Sequence, residues 1–477
     1  MNQEQREQVV SNAKYLQSVR PIDPEEIFEY VEGAPHPAAV RQVLREEAVS
    51  LGLVERDDGS FVPVADEPLS VTFHGVERVP QDLSMALEDV LVEEFGAGWP
   101  DDTGGDRLRA RLRQVKEDYL QGDSVEYDRL TALAYAIYHL PDYYAASQYV
   151  FADLARDGLL PKGLRVLDVG AGVGGPALGL LDLAPDDALV DYHAVEPSAA
   201  ADVLEPMLDT VEGHVDTTVH RETAEAFEPE GPYDLILFGN VLSELDDPVS
   251  VVETYADALD DDGTIVALAP ADKNTAIGLR RIERAVADAG PLNVYGPTVR
   301  LWEGATPESE CWSFDVKPDL DVPGFQMRLD EAGAGKGEFV NVDVQYAYSV
   351  LRKDGRKKYD VDLDVSHVAR MDAMEKHVTN RIDLAAIKLS HDLSRGRDDA
   401  RRDPDEEGGN PLYLLGDGSE RIDHYAVLTE PSVLNADLGD ADYGDLLFFE
   451  NVLVLWNDDE EAYNLVVDGE VVVDAAV

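Results

Sequence analysis

The chain has little of three things that most proteins of its length use freely. It carries one cysteine, Cys311, in 477 residues, which excludes an intrachain disulfide and any metal cluster built from its own thiolates. Positive charge is scarce: 39 Lys and Arg stand against 98 Asp and Glu, a formal net charge of −59. Lysine is the scarcer of the two, outnumbered more than twofold by arginine. No run approaches the roughly 18 apolar residues of a membrane span, and Met1-Asn2-Gln3-Glu4-Gln5 holds neither a basic leader nor an apolar core. These absences predict a soluble, cytoplasmic protein with no membrane partner. The acid excess runs the whole length of the chain rather than forming a tail. Such a charge repels itself at low ionic strength, and molar salt shortens that repulsion to about 3 Å. The composition therefore points to a salt-loaded cytoplasm, that of a halophilic archaeon. It leaves nucleic acid open as a partner, because salt adaptation accounts for the acid surface by itself.

What is present is a globular chain with a 44% hydrophobic fraction, long enough for two to four domains. Three stretches differ in rhythm. Residues 1–155 read as mainly helical, with apolar residues at helical spacing in 37–50, 82–95 and 108–119 and two further helices over 127–140 and 143–155. Residues 156–355 alternate strands (164–169, 189–195, 215–220, 233–238, 263–268) with helices (174–182, 198–210, 249–259, 274–288), the spacing of βαβ units in a parallel sheet. Two extended runs, 311–317 and 338–351, can pair antiparallel at its edge. Residues 356–477 read as strands at 359–365, 381–390, 411–415, 422–429, 446–456 and 462–473, around a polar loop at 395–410. That pattern fits a small β-barrel, closed or partly closed and OB-like, or a small sandwich. The expected fold is α/β, a Rossmann-like sheet between a helical N-terminal domain and a β C-terminal domain.

The chemistry concentrates in Val166-Leu167-Asp168-Val169-Gly170-Ala171-Gly172-Val173-Gly174-Gly175, where an apolar strand runs into a glycine turn. A nucleotide-like ligand needs close backbone approach there, free amides at the next helix start and a carboxylate for ribose hydroxyls. Glu196, closing the next strand, is placed to be that carboxylate, and Asp168 to organise the turn or reach the amino-acid end of the ligand. The single-residue gaps in DxGxGxG differ from the dinucleotide fingerprint. They resemble the cofactor loop of class I S-adenosylmethionine-dependent methyltransferases, which implies S-adenosyl-L-methionine bound by Asp168, Gly170, Gly172, Gly174 and Glu196. Glu225, after the third strand, is the candidate for the adenine amino group. Asn240, after the fourth strand, is the candidate for the methionine end and for the acceptor, and so for catalysis, since ligands gather outside the carboxyl ends of parallel strands.

Further segments carry a narrower likeness. Asn240-Val241-Leu242-Ser243-Glu244-Leu245, Tyr295-Gly296-Pro297-Thr298, Cys311-Trp312-Ser313-Phe314 and Asp343-Val344-Gln345-Tyr346-Ala347-Tyr348-Ser349-Val350-Leu351-Arg352 resemble the mitochondrial small-ribosomal-subunit methyltransferase-like family. The resemblance covers roughly residues 75–355. It implies association with the small subunit or its precursor, and methylation or assembly of its rRNA. Many members carry several cysteines at these signatures, thought to hold an iron–sulfur cluster. Here Thr298 and Ser313 stand in two of the places, so no cluster and no metal is expected.

Two basic islands interrupt the acidic background. Arg109 and Arg113 lie four apart on a predicted helix, and Arg352, Lys353, Arg356, Lys357 and Lys358 cluster at the end of the sheet. They are the candidate phosphate contacts for RNA. The leading expectation is an S-adenosylmethionine-dependent methyltransferase of small-subunit rRNA or its precursor particle. A non-catalytic small-subunit assembly or RNA-binding factor retaining the fold is the alternative, and a small-molecule methyltransferase the third reading.

Overall fold

The computed structural model describes residues 1–121, 125–394 and 409–476. The polar loop expected over 395–410 falls, except for its last two residues, outside the described residues. Contacts group the chain into two compact units. One holds Met1–Gly239, Ala258–Gly263 and Pro318–Val344; the other holds Asn240–Asp257, Thr264–Lys317 and Gln345–Val477. These units cut the chain differently from the sequence domains 1–155, 156–355 and 356–477: residues 156–239 group with 1–155, and 264–317 with the C-terminal strands.

The first unit opens with a helical module: α1 (Gln3–Leu16), α2 (Pro24–Ile27), α3 (Pro37–Glu46) and α4 (Ala48–Leu51), then a hairpin of β1 (Leu53–Glu55) and β2 (Phe61–Pro63). Asn2 and Gln5 cap α1 reciprocally, and Asp23 caps α2 ahead of Pro24. Val9, Val40, Leu44, Leu53 and Phe61 form its core. Then come α5 (Gln81–Phe95), α6 (Thr103–Gln121) and α7 (Arg129–Arg156). The two helices expected over 127–155 are one helix, running through Pro141. Proline cannot donate to the carbonyl four residues back, which would leave Ile137 O unpaired. Gln326 Nε2 donates to that oxygen at 2.8 Å and so substitutes for the missing amide.

Beyond α7 the unit alternates β3 (Gly163–Val169), α8 (Gly175–Leu183), β4 (Leu189–Val195), α9 (Ala201–Leu208), β5 (His214–His220) and β6 (Tyr233–Gly239). The strands lie in the order β5-β4-β3-β6, all parallel, with Asp168 opposite Ala194 on one side and Leu237 on the other. β3 and β6 are covered on both faces and read as largely apolar runs, whereas β5, at the end of the order, is polar and partly exposed. This is the expected Rossmann-like core.

The second unit contains α10 (Pro248–Ala256), most of β7 (Leu259–Pro270), α11 (Lys273–Ala287), β8 (Asn293–Gly296) and β9 (Asp315–Lys317). After α12 (Gly324–Ala332), which belongs to the first unit, comes β10 (Val344–Arg352). Here β10 runs antiparallel to β7 and to β8, the antiparallel edge expected of the methyltransferase sheet. Strand β8, four residues long, is too short for a periodicity to reveal.

The chain ends in β11 (Arg381–Lys388), β12 (Leu412–Gly416), β13 (His424–Leu428), α13 (Asp437–Asp440), β14 (Leu446–Asn457), β15 (Ala462–Val467) and β16 (Val472–Ala475). Pairing follows β11-β12-β13-β15-β14, and β14 returns to β11, closing a five-stranded barrel with β16 added outside on β14. β13 and β15 pair in parallel, while the other strand pairs described in the barrel are antiparallel. Closure decides between the expected barrel and sandwich, and this strand order is that of an OB barrel. Leu384, Leu415, Ala426, Phe449, Val454 and Leu465 fill the interior. No strand forms over 359–365, where alternate residues are acidic and exposed.

Candidate functional site

The glycine turn lies where β3 hands over to α8. Gly170, Gly172 and Gly174 take φ of 70°, 55° and 89°, a region that a side chain disfavours. A β-carbon on Gly174 would overlap Leu204 Cδ1, so this glycine serves packing. One on Gly172 would meet nothing nearer than Gly170 O at 3.9 Å. Gly172 therefore borders open space, the room a ligand needs above the turn.

Two carboxylates flank that space. Glu196, nearly buried, accepts from the Gly172 amide through Oε2 at 2.9 Å and from the Ser198 amide through Oε1 at 2.8 Å. It ties the turn of β3 to the end of β4, and each oxygen keeps acceptor capacity for a hydroxyl. Asp168 is 1% exposed, and its Oδ2 accepts from the Tyr192 hydroxyl at 2.8 Å. Its Oδ1 is enclosed with no hydrogen-bond partner. Burial pushes the Asp168 carboxyl up to about 7, the Tyr192 bond opposes the shift, and the charge of Glu196 adds to it. Tyr192 escapes a motif search because its role comes from strand register alone. Glu225 is exposed beyond β5.

Asn240, the first residue after β6, belongs to the second unit. Its φ of 62° is unusual for a residue with a side chain, and its amide donates to Leu268 O at 3.0 Å. Asparagine tolerates this conformation better than most residues, and Ala34, Cys311, Thr379 and Asn451 adopt positive φ as well.

The basic islands divide. Arg109 is a correction: it is 5% exposed, and Nη1 donates to Pro100 O and Leu329 O while Nη2 meets Asp106. Arg352 is a second correction, 2% exposed, with its guanidinium on Asp354 and on Thr264 Oγ1. Helical spacing aligned Arg109 with Arg113 but could not tell which side faces protein. Arg113 is half exposed and forks onto Glu338 at 2.6 and 2.8 Å. Arg356 and Lys357 are exposed; Lys353 and Lys358 are partly covered.

Residues of the segments 295–298, 311–314 and 343–352 meet in a buried polar cluster that spacing does not announce. Glu283 accepts from Arg280 (2.8 Å), Ser349 (2.8 Å), Thr298 (2.5 Å) and Arg300 (3.3 Å). Ser313 Oγ shares a hydrogen bond with Tyr443 at 2.6 Å. Cys311 is buried, and burial pushes its thiol up to about 12. Among the described residues no three His, Cys, Asp or Glu side chains are grouped to hold a metal ion, and no helix is long and apolar enough to cross a membrane.

Comparison with known proteins gives three local matches. Residues 167–265 match a methyltransferase domain. Residues 6–57 and 372–476 match the N-terminal and C-terminal domains of the same domain of unknown function, DUF8157. No curated protein sequence matches. Solved structures share parts of the chain. A candidate methyltransferase of Thermoplasma acidophilum is 15% identical over 42% of this chain and 72% of its own, with a TM-score of 0.28. A candidate RNA methyltransferase of Pyrococcus horikoshii is 13% identical over 44% and 82%, with a TM-score of 0.28. Magnesium protoporphyrin IX methyltransferase of Synechocystis, solved with bound S-adenosylmethionine, is 15% identical over 57% and 97%, with a TM-score of 0.26. The domain match lies on β3–β7 and includes the glycine turn, Glu196 and Asn240. The matched part of the chain is a methyltransferase domain on a Rossmann-like sheet, with S-adenosyl-L-methionine as its cofactor.

Proposed function

We propose that the protein methylates RNA of the small ribosomal subunit or of its precursor particle, in the cytoplasm of a salt-adapted archaeon. The observation that carries this reading is the second fold element: a closed barrel of OB strand order, an architecture that binds oligonucleotides and oligosaccharides. The family likeness at residues 240–245, 295–298 and 311–314 supports the same acceptor.

The cofactor fits the residues around the glycine turn. We assign Asp168, whose Oδ1 is enclosed without a partner, to the amino-acid end of the cofactor through water. Glu196 offers its remaining lone pairs to the ribose diol, and Gly172 leaves the space between them open. Glu225 is the candidate for the adenine amino group. The cofactor supplies a methyl group on a sulfonium sulfur; the chain supplies position, since displacement needs the acceptor in line with that carbon. Asn240, held in its left-handed conformation after β6, is the residue we assign to orienting the acceptor or the methionine end. Arg113, Lys353, Arg356, Lys357 and Lys358 remain the proposed phosphate contacts.

The test is transfer of a tritiated methyl group from S-adenosylmethionine to small-subunit precursor particles in molar KCl. Label in small-subunit RNA, lost on Glu196→Ala, supports the proposal. Particle binding without label would favour the assembly factor, and label on a small molecule alone would favour the third reading.

A further inference from the structure

α7 lies along α8 in the same direction. A β-carbon on Gly175 would meet Leu140 O, Tyr143 Cβ and Tyr144 N, and one on Gly179 would meet Tyr144 O and Ser147 Oγ. Residues 140–147 therefore cover α8 from its first turn. The preceding segment, 129–139, projects past the start of α8 by about 16 Å at helical rise. Because α8 begins at the carboxyl end of β3, that projection stands on the ligand side of the parallel strands, beside the glycine turn.

The projecting segment and the turn that follows it carry an aromatic ladder at spacing i, i+4, i+8. Tyr135, His139 and Tyr143 are all half-buried, among neighbours such as Leu133, Ala134, Ile137 and Leu140 that are fully enclosed. His139 stacks on Tyr143 with centroids 5.1 Å apart and planes 15° from parallel. Tyr135 sits 4.7 Å from His139, and its hydroxyl lies 3.4 Å from that of Tyr143. Asp142, itself nearly buried, faces His139 Nδ1 with Oδ2 at 3.5 Å. Tyr127 meets Tyr135 and Tyr138 meets His139 edge to face, so the stripe is aromatic along its flanks as well. It keeps flat, polar-edged rings partly open, on the side where the acceptor must arrive.

We propose that Tyr135, His139 and Tyr143 form the acceptor subsite, a platform on which a planar heteroaromatic base stacks with its reactive atom toward the cofactor. Stacking on aromatic side chains tolerates any base and holds one that has left its own stack. The identification of that base as part of an RNA rests on the function proposed above; the flat-ring chemistry of the platform does not.

The experiment uses the full chain in molar KCl, saturated with S-adenosylhomocysteine, and 2-aminopurine riboside, whose fluorescence falls when its ring stacks. Saturable quenching is expected in the wild type. Tyr135→Leu and His139→Leu should each weaken it by about tenfold, while Tyr135→Phe and His139→Phe retain it. Affinity for S-adenosylmethionine, measured by calorimetry, should stay within about twofold in all four. Absence of quenching in the wild type, unchanged quenching in both leucine variants, or its loss in the phenylalanine variants would overturn the subsite. Quenching as expected, with no methylation of small-subunit RNA, would leave the subsite standing and remove the RNA reading.

Discussion

Asp168 in the first unit and Glu283 in the second are both carboxylates almost without solvent contact, at 1% exposure each, yet their acidities move in opposite directions. Burial raises both. At Asp168 one tyrosine hydroxyl opposes it, a second carboxylate stands nearby, and one oxygen has no partner, so the group ends near 7. At Glu283 the guanidinium groups of Arg280 and Arg300, with Thr298 and Ser349, outweigh burial and hold the group below its ordinary value. The first is incomplete, with one carboxylate oxygen left without a partner. The second is closed around its charge, apart from Arg280 Nε, and serves the fold. Buried polarity by itself does not mark a ligand site; unfilled acceptors beside open space do.

The largest effect should come from breaking the closed cluster. Glu283→Ala leaves Arg280 buried without its carboxylate, and removing one partner of such a pair costs about 3–5 kcal/mol. Thermal unfolding in molar KCl should show it as a loss of Tm; a cost below about 1 kcal/mol would mean that the cluster is not what it appears geometrically.

The open site should respond to pH instead. The Asp168 carboxyl titrates near 7 when folded against an ordinary 3.8, so the folded state binds the extra proton. Stability from this group is complete below pH about 4 and declines as pH rises to about 7, by roughly 4 kcal/mol over three units. Asp168→Asn should therefore gain stability relative to the wild type between pH 4 and 7.5, measured by denaturant unfolding, while losing cofactor affinity. A difference independent of pH would contradict the assignment.

The glycines sharpen the same contrast at smaller size. Gly174→Ala meets Leu204 as well as an unfavourable φ and should cost about 2–3 kcal/mol, whereas Gly172→Ala meets only the φ and should cost about 1 kcal/mol. Equal losses would mean that the space above Gly172 is closed in solution. Smallest of all, Arg113→Ala removes a half-exposed pair with Glu338 and should change stability by less than about 1 kcal/mol. Its effect should appear in particle binding, as a weaker salt dependence.

How much of this was legible follows from range. The glycine turn, Asp168 and Glu196 were readable because strand, turn and helix are contiguous and the chemistry sits in the turn. Pro141 divided α7 on paper because the donor that rescues it, Gln326, lies 189 residues from the carbonyl it serves. Arg109 looked like a surface cation because its acceptor Leu329 O lies 220 residues away. Thr298, Ser313 and Cys311 were noticed as departures from a family pattern, but the cluster around Glu283 depends on Arg280, Arg300 and Ser349, which no spacing groups. The barrel strands were visible while their closure was not, since β11–β14 pairing joins residues about seventy apart.

The most direct test of the cofactor site is calorimetric titration of S-adenosylmethionine into the full chain in molar KCl, for the wild type and Glu196→Ala, at pH 6 and pH 7.5. The account predicts saturable binding, tighter at pH 7.5 because Asp168 is then more fully ionised, and about 10–100-fold weaker in the variant through loss of a charged hydrogen-bond partner. No binding by the wild type, or equal affinity in wild type and variant, would contradict it.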